Sequence, residues 1–172
     1  TRLKPHATMK ICLIEDNKPL LDNLRLLLEG EPGVSVTGAF TTAEKALQAL
    51  PWDDAEILLS DIDLPGLSGV DVIRRVHPKL PNLLIMVYTI SEDRETVFAA
   101  LKAGAMGYLL KGCPPRELVE ALRSLYQGGA PMSPKIARRV IREFQAPGDA
   151  KEEELLSERE KEILSGIALG RS

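Results

Sequence analysis

The sequence is poor in the residues that build small cross-linked proteins. It has two cysteines in 172 residues. Two cysteines cannot form a disulfide scaffold, and neither lies in the C-x-x-C spacing of a zinc site. We expect both to be reduced thiols, as in a cytosol. Aromatic residues make up only 4% of the chain, so its core must be mainly aliphatic.

Charge of one sign and long apolar runs are also scarce. The net charge of −3 gives no reason to expect a polyanion-binding surface over the chain as a whole. No apolar run approaches the roughly 20 residues of a membrane span. Residues 1–8 have no apolar signal core, so we interpret them as an N-terminal extension. These absences predict a cytoplasmic protein without a membrane partner.

Apolar runs and helical periodicity alternate five times between residues 9 and 127. Runs such as 11–14 and 57–59 are continuously apolar, which is typical of strands buried on both faces. Each run is followed by apolar residues at helical spacing. The pattern predicts an α/β fold, a (βα)5 doubly wound parallel sheet with helices on both faces.

The remaining residues predict helices without strands. Residues 128–154 are interpreted as a linker that contains an amphipathic helix at 134–145, and residues 155–172 begin a separate helical segment. Residues 131–172 carry equal numbers of basic and acidic side chains. Equal numbers predict no net positive face, so we expect no specific DNA binding by this 172-residue chain.

Chemically active side chains follow four of the five predicted strands. Glu15 and Asp16 follow the first strand, Asp61 the third, Thr89 the fourth and Lys111 the fifth. The ends of parallel strands meet at one edge of a sheet, where ligands bind. Carboxylates about 5 Å apart repel by about 3 kcal/mol per pair at an effective dielectric of about 20. Lys111 and a divalent cation, Mg²⁺ or Mn²⁺, would offset that repulsion.

This set of residues is typical of phosphoryl transfer onto a carboxylate, with Asp61 as the nucleophile. Each residue alone has a plainer interpretation: Asp16 as a helix cap, Thr89 as a strand-end cap, and Lys111 as a solvated charge. Their joint occurrence at one sheet edge favours the phosphoryl-transfer site.

Residues 9–127 resemble the receiver domain of two-component response regulators. The matching motifs are Glu15-Asp16, Asp61 with Pro65-Gly66, Tyr88-Thr89 and Gly107-Tyr108-Leu109-Leu110-Lys111. The resemblance implies a flavodoxin-like strand order 2-1-3-4-5 and a histidine kinase as phosphoryl donor. It also implies a protein that is not a turnover enzyme and catalyses only its own phosphorylation and slow dephosphorylation.

The resemblance assigns further roles. The backbone carbonyl of Asp63 becomes a metal ligand beside Glu15, Asp16 and Asp61, while strand alternation directs the Asp63 side chain elsewhere. Thr89 and Tyr108 become a switch in which Thr89 moves toward the phosphoryl group and Tyr108 rotates inward. Phosphorylation-linked homodimerisation is expected.

One departure from the family concerns access to the phosphoryl pocket. The residue after Thr89 is usually small in this family, whereas here it is Ile90. We expect this side chain to narrow access to the pocket.

Residues 155–172 resemble the start of a LuxR-type helix-turn-helix domain. Together with the receiver pattern, they make the chain similar to the NarL/FixJ class of bacterial transcription regulators. In that class DNA is bound through the complete C-terminal domain.

Two other functions fit part of the pattern. Asp61-Ile62-Asp63 resembles the D-x-D of haloacid dehalogenase-type phosphatases, but that motif belongs on the first strand and Pro65 stands where Thr or Val is wanted. A receiver that acts only through protein contacts is the third interpretation, and the sequence beyond Ser172 would decide it. A flavodoxin-like cofactor binder is rejected because Glu15-Asp16 would repel a phosphate.

Overall fold

The computed structural model describes residues 8–146 and 158–169, and a parallel five-stranded sheet forms its centre. The strand order is β2-β1-β3-β4-β5, which confirms the predicted topology. The strands are β1 (Met9–Ile14), β2 (Val34–Phe40), β3 (Ile57–Ser60), β4 (Leu84–Thr89) and β5 (Gly107–Leu110). β1 and β3 are almost entirely buried because helices cover both of their faces.

Five helices connect and cover the strands. They are α1 (Lys18–Glu29), α2 (Ala43–Gln48), α3 (Gly69–Val76), α4 (Arg94–Ala103) and α5 (Pro115–Tyr126). α1 and α5 pack on one face of the sheet, and α2, α3 and α4 pack on the other. None of the helices in the described part of the chain has both the length and the apolar character of a membrane span.

A sixth helix, α6 (Pro134–Gln145), packs on the sheet domain. Its buried residues Ile136 and Val140 join the core on the α2–α4 side. The segment that leads into α6 runs beside β5. There the Tyr108 amide donates to the Pro131 carbonyl at 3.0 Å, and the Ser133 amide donates to the Tyr108 carbonyl at 3.1 Å. The predicted linker helix is therefore part of the same packed unit.

The last described helix, α7 (Glu158–Leu169), lies against α4. Ile163 and Ile167 are buried in the cluster that contains Val97 of α4. Gly166 sits close to the segment before α6, since a Cβ there would lie 2.8 Å from the Ala130 Cβ. Residues 1–7 and 147–157 lie outside the described residues, so the predicted limits of the extension, the linker and the C-terminal segment stay predictions.

The start of α3 approaches the end of β3 closely. Ser68 and Asp71 form a reciprocal capping box at the α3 N-terminus. Gly69, the first residue of α3, donates its amide to the Ile62 carbonyl at 2.9 Å. A Cβ at Gly69 would lie 2.1 Å from the Asp61 carbonyl oxygen. Only glycine lets the helix begin this close to the strand end.

We expect Gly69→Ala to lower the free energy of unfolding by about 2 kcal/mol, because the new methyl group displaces backbone atoms of the β3 end. Gly30→Ala is the matched control. Gly30 has an ordinary helical φ of −77°, and its nearest contact for a Cβ is 3.3 Å. Urea unfolding of both variants measures the difference; equal stabilities would contradict the close approach.

Candidate functional site

The carboxyl end of β1 supplies two adjacent carboxylates. Glu15 is 2% exposed, whereas Asp16 faces solvent. Asn17 caps α1 by accepting the Leu20 amide, so the chain turns immediately after the two acids. Glu15 Oε2 accepts the Asn17 amide at 3.1 Å, which fixes the carboxylate at the sheet edge.

Asp61 lies at the end of β3 and is 5% exposed. Its Oδ1 accepts the backbone amides of Ile62 at 2.7 Å and Asp63 at 3.1 Å. Its Oδ2 accepts from the Lys111 ammonium at 2.6 Å. Three donors thus orient the carboxylate, which lies beside Glu15.

Lys111 connects the two buried carboxylates. Its ammonium lies 2.6 Å from Asp61 Oδ2 and 2.5 Å from Glu15 Oε1. Burial alone would lower the pKa of Lys111, but its hydrogen bonds with Asp61 and Glu15 outweigh that effect and raise the pKa. Lys111 therefore stays charged. Burial raises the pKa of Glu15, with Lys111 opposing the shift.

The donor set fits a hard divalent cation. Glu15, Asp16 and Asp61 each offer a carboxylate oxygen, and these oxygens lie within 4.8 Å of one another. Glu15 Oε1 is buried and, apart from its ion pair with Lys111, has no partner among the described residues. Carboxylate oxygens are the ligands that Mg²⁺ prefers. The structure thus brings three of the four predicted metal ligands together at one edge, and the role of the Asp63 carbonyl stays a prediction.

The end of β4 carries a network that the sequence did not predict. Asp63 Oδ2 accepts from the Ser91 hydroxyl at 2.7 Å and from the Thr89 hydroxyl at 3.3 Å. Ser91 is not the N-cap of α4. α4 begins at Arg94, and Asp93 caps it by accepting the Thr96 amide. Ser91 is thereby free to bind Asp63.

Tyr108 lies under this network and is fully buried. Its hydroxyl donates to the Ser91 carbonyl at 2.6 Å. Burial raises the pKa of Tyr108, and the nearby charges of Asp93, Asp63 and Asp61 raise it further, so the hydroxyl remains a donor. Tyr108 therefore lies inward in this structure, and its rotation as part of a switch stays a prediction.

The side chain of Ile90 does not join the packed site. It is 73% exposed, in the chain between the buried Thr89 and the α4 N-terminus. Its influence on access to the phosphoryl pocket stays a prediction.

Sequence reasoning thus found Glu15, Asp16, Asp61, Thr89, Lys111 and Tyr108 but missed the roles of Ser91 and the Asp63 side chain. The missing signal is a pairing between two loops. Asp63 lies two residues beyond the β3 strand-end acid, and Ser91 lies two residues beyond the β4 strand-end threonine. Because β3 and β4 are parallel neighbours, both segments leave the sheet at the same edge, where the two side chains meet.

The comparisons with known proteins agree with this geometry. Residues 11–123 match the family model of the response regulator receiver domain. The nitrate/nitrite response regulator protein NarL of Escherichia coli (strain K12) is 30% identical over 162 residues, which are 93% of this chain and 75% of NarL.

Two solved structures are also similar to this chain. A two-component response regulator of the LuxR family from Aurantimonas sp. SI85-9A1 is similar with a TM-score of 0.74 and 29% identity, over 80% of this chain and 99% of that one. RcsB from Salmonella enterica serovar Typhimurium, bound to promoter P1flhDC in the presence of the phosphomimetic BeF3⁻, is similar with a TM-score of 0.72 and 27% identity. The match covers 86% of this chain and 74% of RcsB.

We expect Lys111→Ala to lower the free energy of unfolding by about 3 kcal/mol without Mg²⁺, because it leaves two buried carboxylates without their cation. Added Mg²⁺ should restore more stability to the variant than it adds to the wild type. Lys18→Ala is the control, since Lys18 forms an exposed pair with Asp22 that contributes at most about 1 kcal/mol. Thermal unfolding with and without Mg²⁺ measures both effects. Equal losses in the two variants would argue against Lys111 as the compensating charge.

Proposed function

Because this chain belongs to the family of response regulator receiver domains and is of the NarL/LuxR type, we propose that it is phosphorylated on Asp61 by a histidine kinase and thereby regulates transcription. One observation carries the proposal. Asp61 is a buried carboxylate with Oδ2 on the Lys111 ammonium, beside two further acids. The site therefore offers the phosphoryl-accepting carboxylate and, in direct contact with it, the Lys111 ammonium that balances the phosphoryl charge.

The chemistry is a transfer of a phosphoryl group to an aspartate oxygen. A new P–O bond forms at Asp61 while the P–N bond of a phosphohistidine donor breaks, and the released imidazole takes up a proton. Lys111 pairs with a phosphoryl oxygen as charge develops. The Thr89 hydroxyl donates to another phosphoryl oxygen.

Mg²⁺, or Mn²⁺ in its place, would be held by Glu15, Asp16, Asp61 and the backbone carbonyl of Asp63. When bound, it supplies positive charge that neutralises phosphoryl oxygens. The carboxylate oxygens support this assignment because they already converge within 4.8 Å.

The protein acts as a switch and not as a turnover enzyme. It catalyses its own phosphorylation and the slow loss of the phosphoryl group. That hydrolysis of the acyl phosphate returns Asp61 to its starting state. In the haloacid dehalogenase alternative, the aspartyl-phosphate is hydrolysed rapidly and the site turns over many times.

The switch begins with the hydrogen bond between Thr89 and Asp63. A phosphoryl group on Asp61 competes with Asp63 for the Thr89 hydroxyl, and Thr89 moves toward it. The Ser91 hydroxyl donates to the same Asp63 oxygen, and the Ser91 carbonyl accepts a hydrogen bond from the Tyr108 hydroxyl. Movement of Thr89 therefore shifts the whole connection between β4 and α4.

The α4 helix carries this shift to the C-terminal segment. Ile163 and Ile167 of α7 are buried against the α4 side of the core. Displacement of the α4 N-terminus changes that contact, and with it the position of the LuxR-type segment. The intact protein then binds DNA through its complete C-terminal domain as a phosphorylation-linked homodimer.

Acetyl phosphate with Mg²⁺ should add one phosphoryl group per wild-type chain and none to Asp61→Asn, since the amide cannot form the acyl phosphate. Asp22→Asn, an exposed site on α1, is the control and should be labelled like the wild type. Intact mass measures the labelling. Equal labelling of Asp61→Asn would refute the assignment, and sustained hydrolysis of a small phosphomonoester would favour the phosphatase.

Removal of the Asp63 carboxylate should loosen the switch without any phosphodonor. In Asp63→Ala, Thr89 and Ser91 lose a shared acceptor, which corresponds to about 1 kcal/mol or roughly fivefold in local opening. Hydrogen exchange should therefore accelerate at residues 90–93 and in α7. Asp22→Ala is the control. Unchanged exchange in both regions would show that Asp63 does not restrain the switch.

A further inference from the structure

The outer face of α6 carries a stripe of cations. Helical spacing i, i+3, i+4, i+7 places them on one side of the helix, and all four are exposed. The basic stripe consists of Lys135, Arg138, Arg139 and Arg142. The opposite face holds the buried Ile136 and Val140. The prediction of no net positive face in residues 131–172 is wrong. Basic and acidic side chains are equal in number along this part of the chain, but the α6 helix places four basic side chains on one face.

The basic stripe borders a concave surface of about 380 Å³ between α6 and the start of α4. Arg94, Glu92 and Glu143 complete its lining. Five cations and two acids give this surface a net charge of +3, although the chain has a net charge of −3. Positive charge is therefore concentrated on one side of a mildly acidic protein.

Both acids of this surface already have partners. Glu143 accepts two hydrogen bonds from the Arg94 guanidinium. Glu92 Oε2 lies 4.0 Å from the Lys135 ammonium. The guanidinium groups of Arg138, Arg139 and Arg142 form no hydrogen bond or ion pair within residues 8–146 and 158–169, while the charge of Arg139 helps to lower the pKa of the nearby Asp93. Their guanidinium groups are available to an external anion.

The chemistry of the lining selects the kind of anion. The surface has no aromatic or aliphatic wall that would hold a nucleoside or another organic body. A membrane surface is disfavoured because the apolar face of α6 is buried in the core and cannot enter a bilayer. Arginine forks suit phosphate oxygens. What fits is a regular array of phosphates without recognition of bases.

The length of the basic stripe also suits such an array. The seven steps from residue 135 to residue 142 rise about 10.5 Å along the helix at about 1.5 Å per residue. Each strand of duplex DNA carries one phosphate per about 3.4 Å of its axis. The basic stripe therefore spans about three successive phosphates.

We propose that the basic stripe of α6 contacts the phosphate backbone of duplex DNA without sequence preference. The inference rests on the proposed function, which brings DNA to the C-terminal domain that follows α6 in the chain. Phosphate contacts of this kind fix position and orientation, whereas base contacts elsewhere provide specificity. The linker helix is then a second, electrostatic point of contact with DNA.

Fluorescence anisotropy of the 172-residue chain on two duplexes of unrelated sequence tests the proposal. The wild type should bind both duplexes equally and weakly, with a Kd of about 10⁻⁴ to 10⁻⁶ M. The triple variant Arg138→Gln, Arg139→Gln, Arg142→Gln should bind more weakly. Its slope of log affinity against log salt should be smaller by about 2.7, at about 0.9 per lost phosphate contact.

The matched control is Lys18→Gln, Arg25→Gln, Arg116→Gln, which removes three positive charges from α1 and α5. These side chains are exposed and belong to surface ion pairs. The control should keep the wild-type slope to within about 1. If the two triple variants had equal slopes of log affinity against log salt, the loss of net charge alone would explain the change in DNA binding, and the proposal would be overturned. Stoichiometric binding of tripolyphosphate without binding of duplex would also overturn it, in favour of a small-anion site.

Asp61 labelling by acetyl phosphate separates this inference from the proposed function. The basic stripe lies outside the phosphorylation site, so its triple variant should be labelled like the wild type and thereby prove to be folded. Normal labelling with unchanged DNA binding in that variant would refute the basic stripe alone. Absence of labelling in the wild type, with DNA binding that depends on the basic stripe, would refute the phosphorylation proposal alone.

Discussion

The ion pairs of Lys111 with Asp61 and Glu15 are the interaction on which the functional edge depends. Two carboxylates with almost no solvent exposure meet there, and burial raises the pKa of Glu15. The Lys111 ammonium lies between them and pairs with both. Because one cation faces three carboxylates, negative charge remains in excess. That excess fits a divalent cation, because the three carboxylates offer oxygens within 4.8 Å of one another.

Much of this edge follows from the sequence. A parallel sheet collects the ends of its strands at one side, so residues after β1, β3, β4 and β5 must meet once the strands are recognised. The prediction that Glu15, Asp61 and Lys111 lie together required no knowledge of loop conformation. The continuous apolar runs gave the strands, and the apolar spacing at 134–145 gave a helix with the same limits as α6.

Three features did not follow from the sequence, each for a physical reason. The bond between Asp63 and Ser91 depends on two loops whose local patterns, a turn and a helix cap, are independent of each other. The packing of α6 and α7 depends on which apolar face remains open after the sheet is covered. A count of charges along the sequence does not reveal the basic stripe, since a helix places residues that are neighbours in sequence on different faces. The missed features are thus relations between elements, whereas the predicted ones lie within elements.

The strand pairing of Tyr108 limits how two copies of this protein can associate. The segment around Met132 runs parallel to β5 and occupies both backbone groups of Tyr108. An open sheet edge is a template for strand addition by another chain. Here the protein's own backbone fills that template at β5, so a second copy cannot extend the sheet there without displacing the lead into α6. Helical surfaces are left as the means of assembly at this end, and the covered edge of β5 protects the protein from edge-to-edge aggregation there.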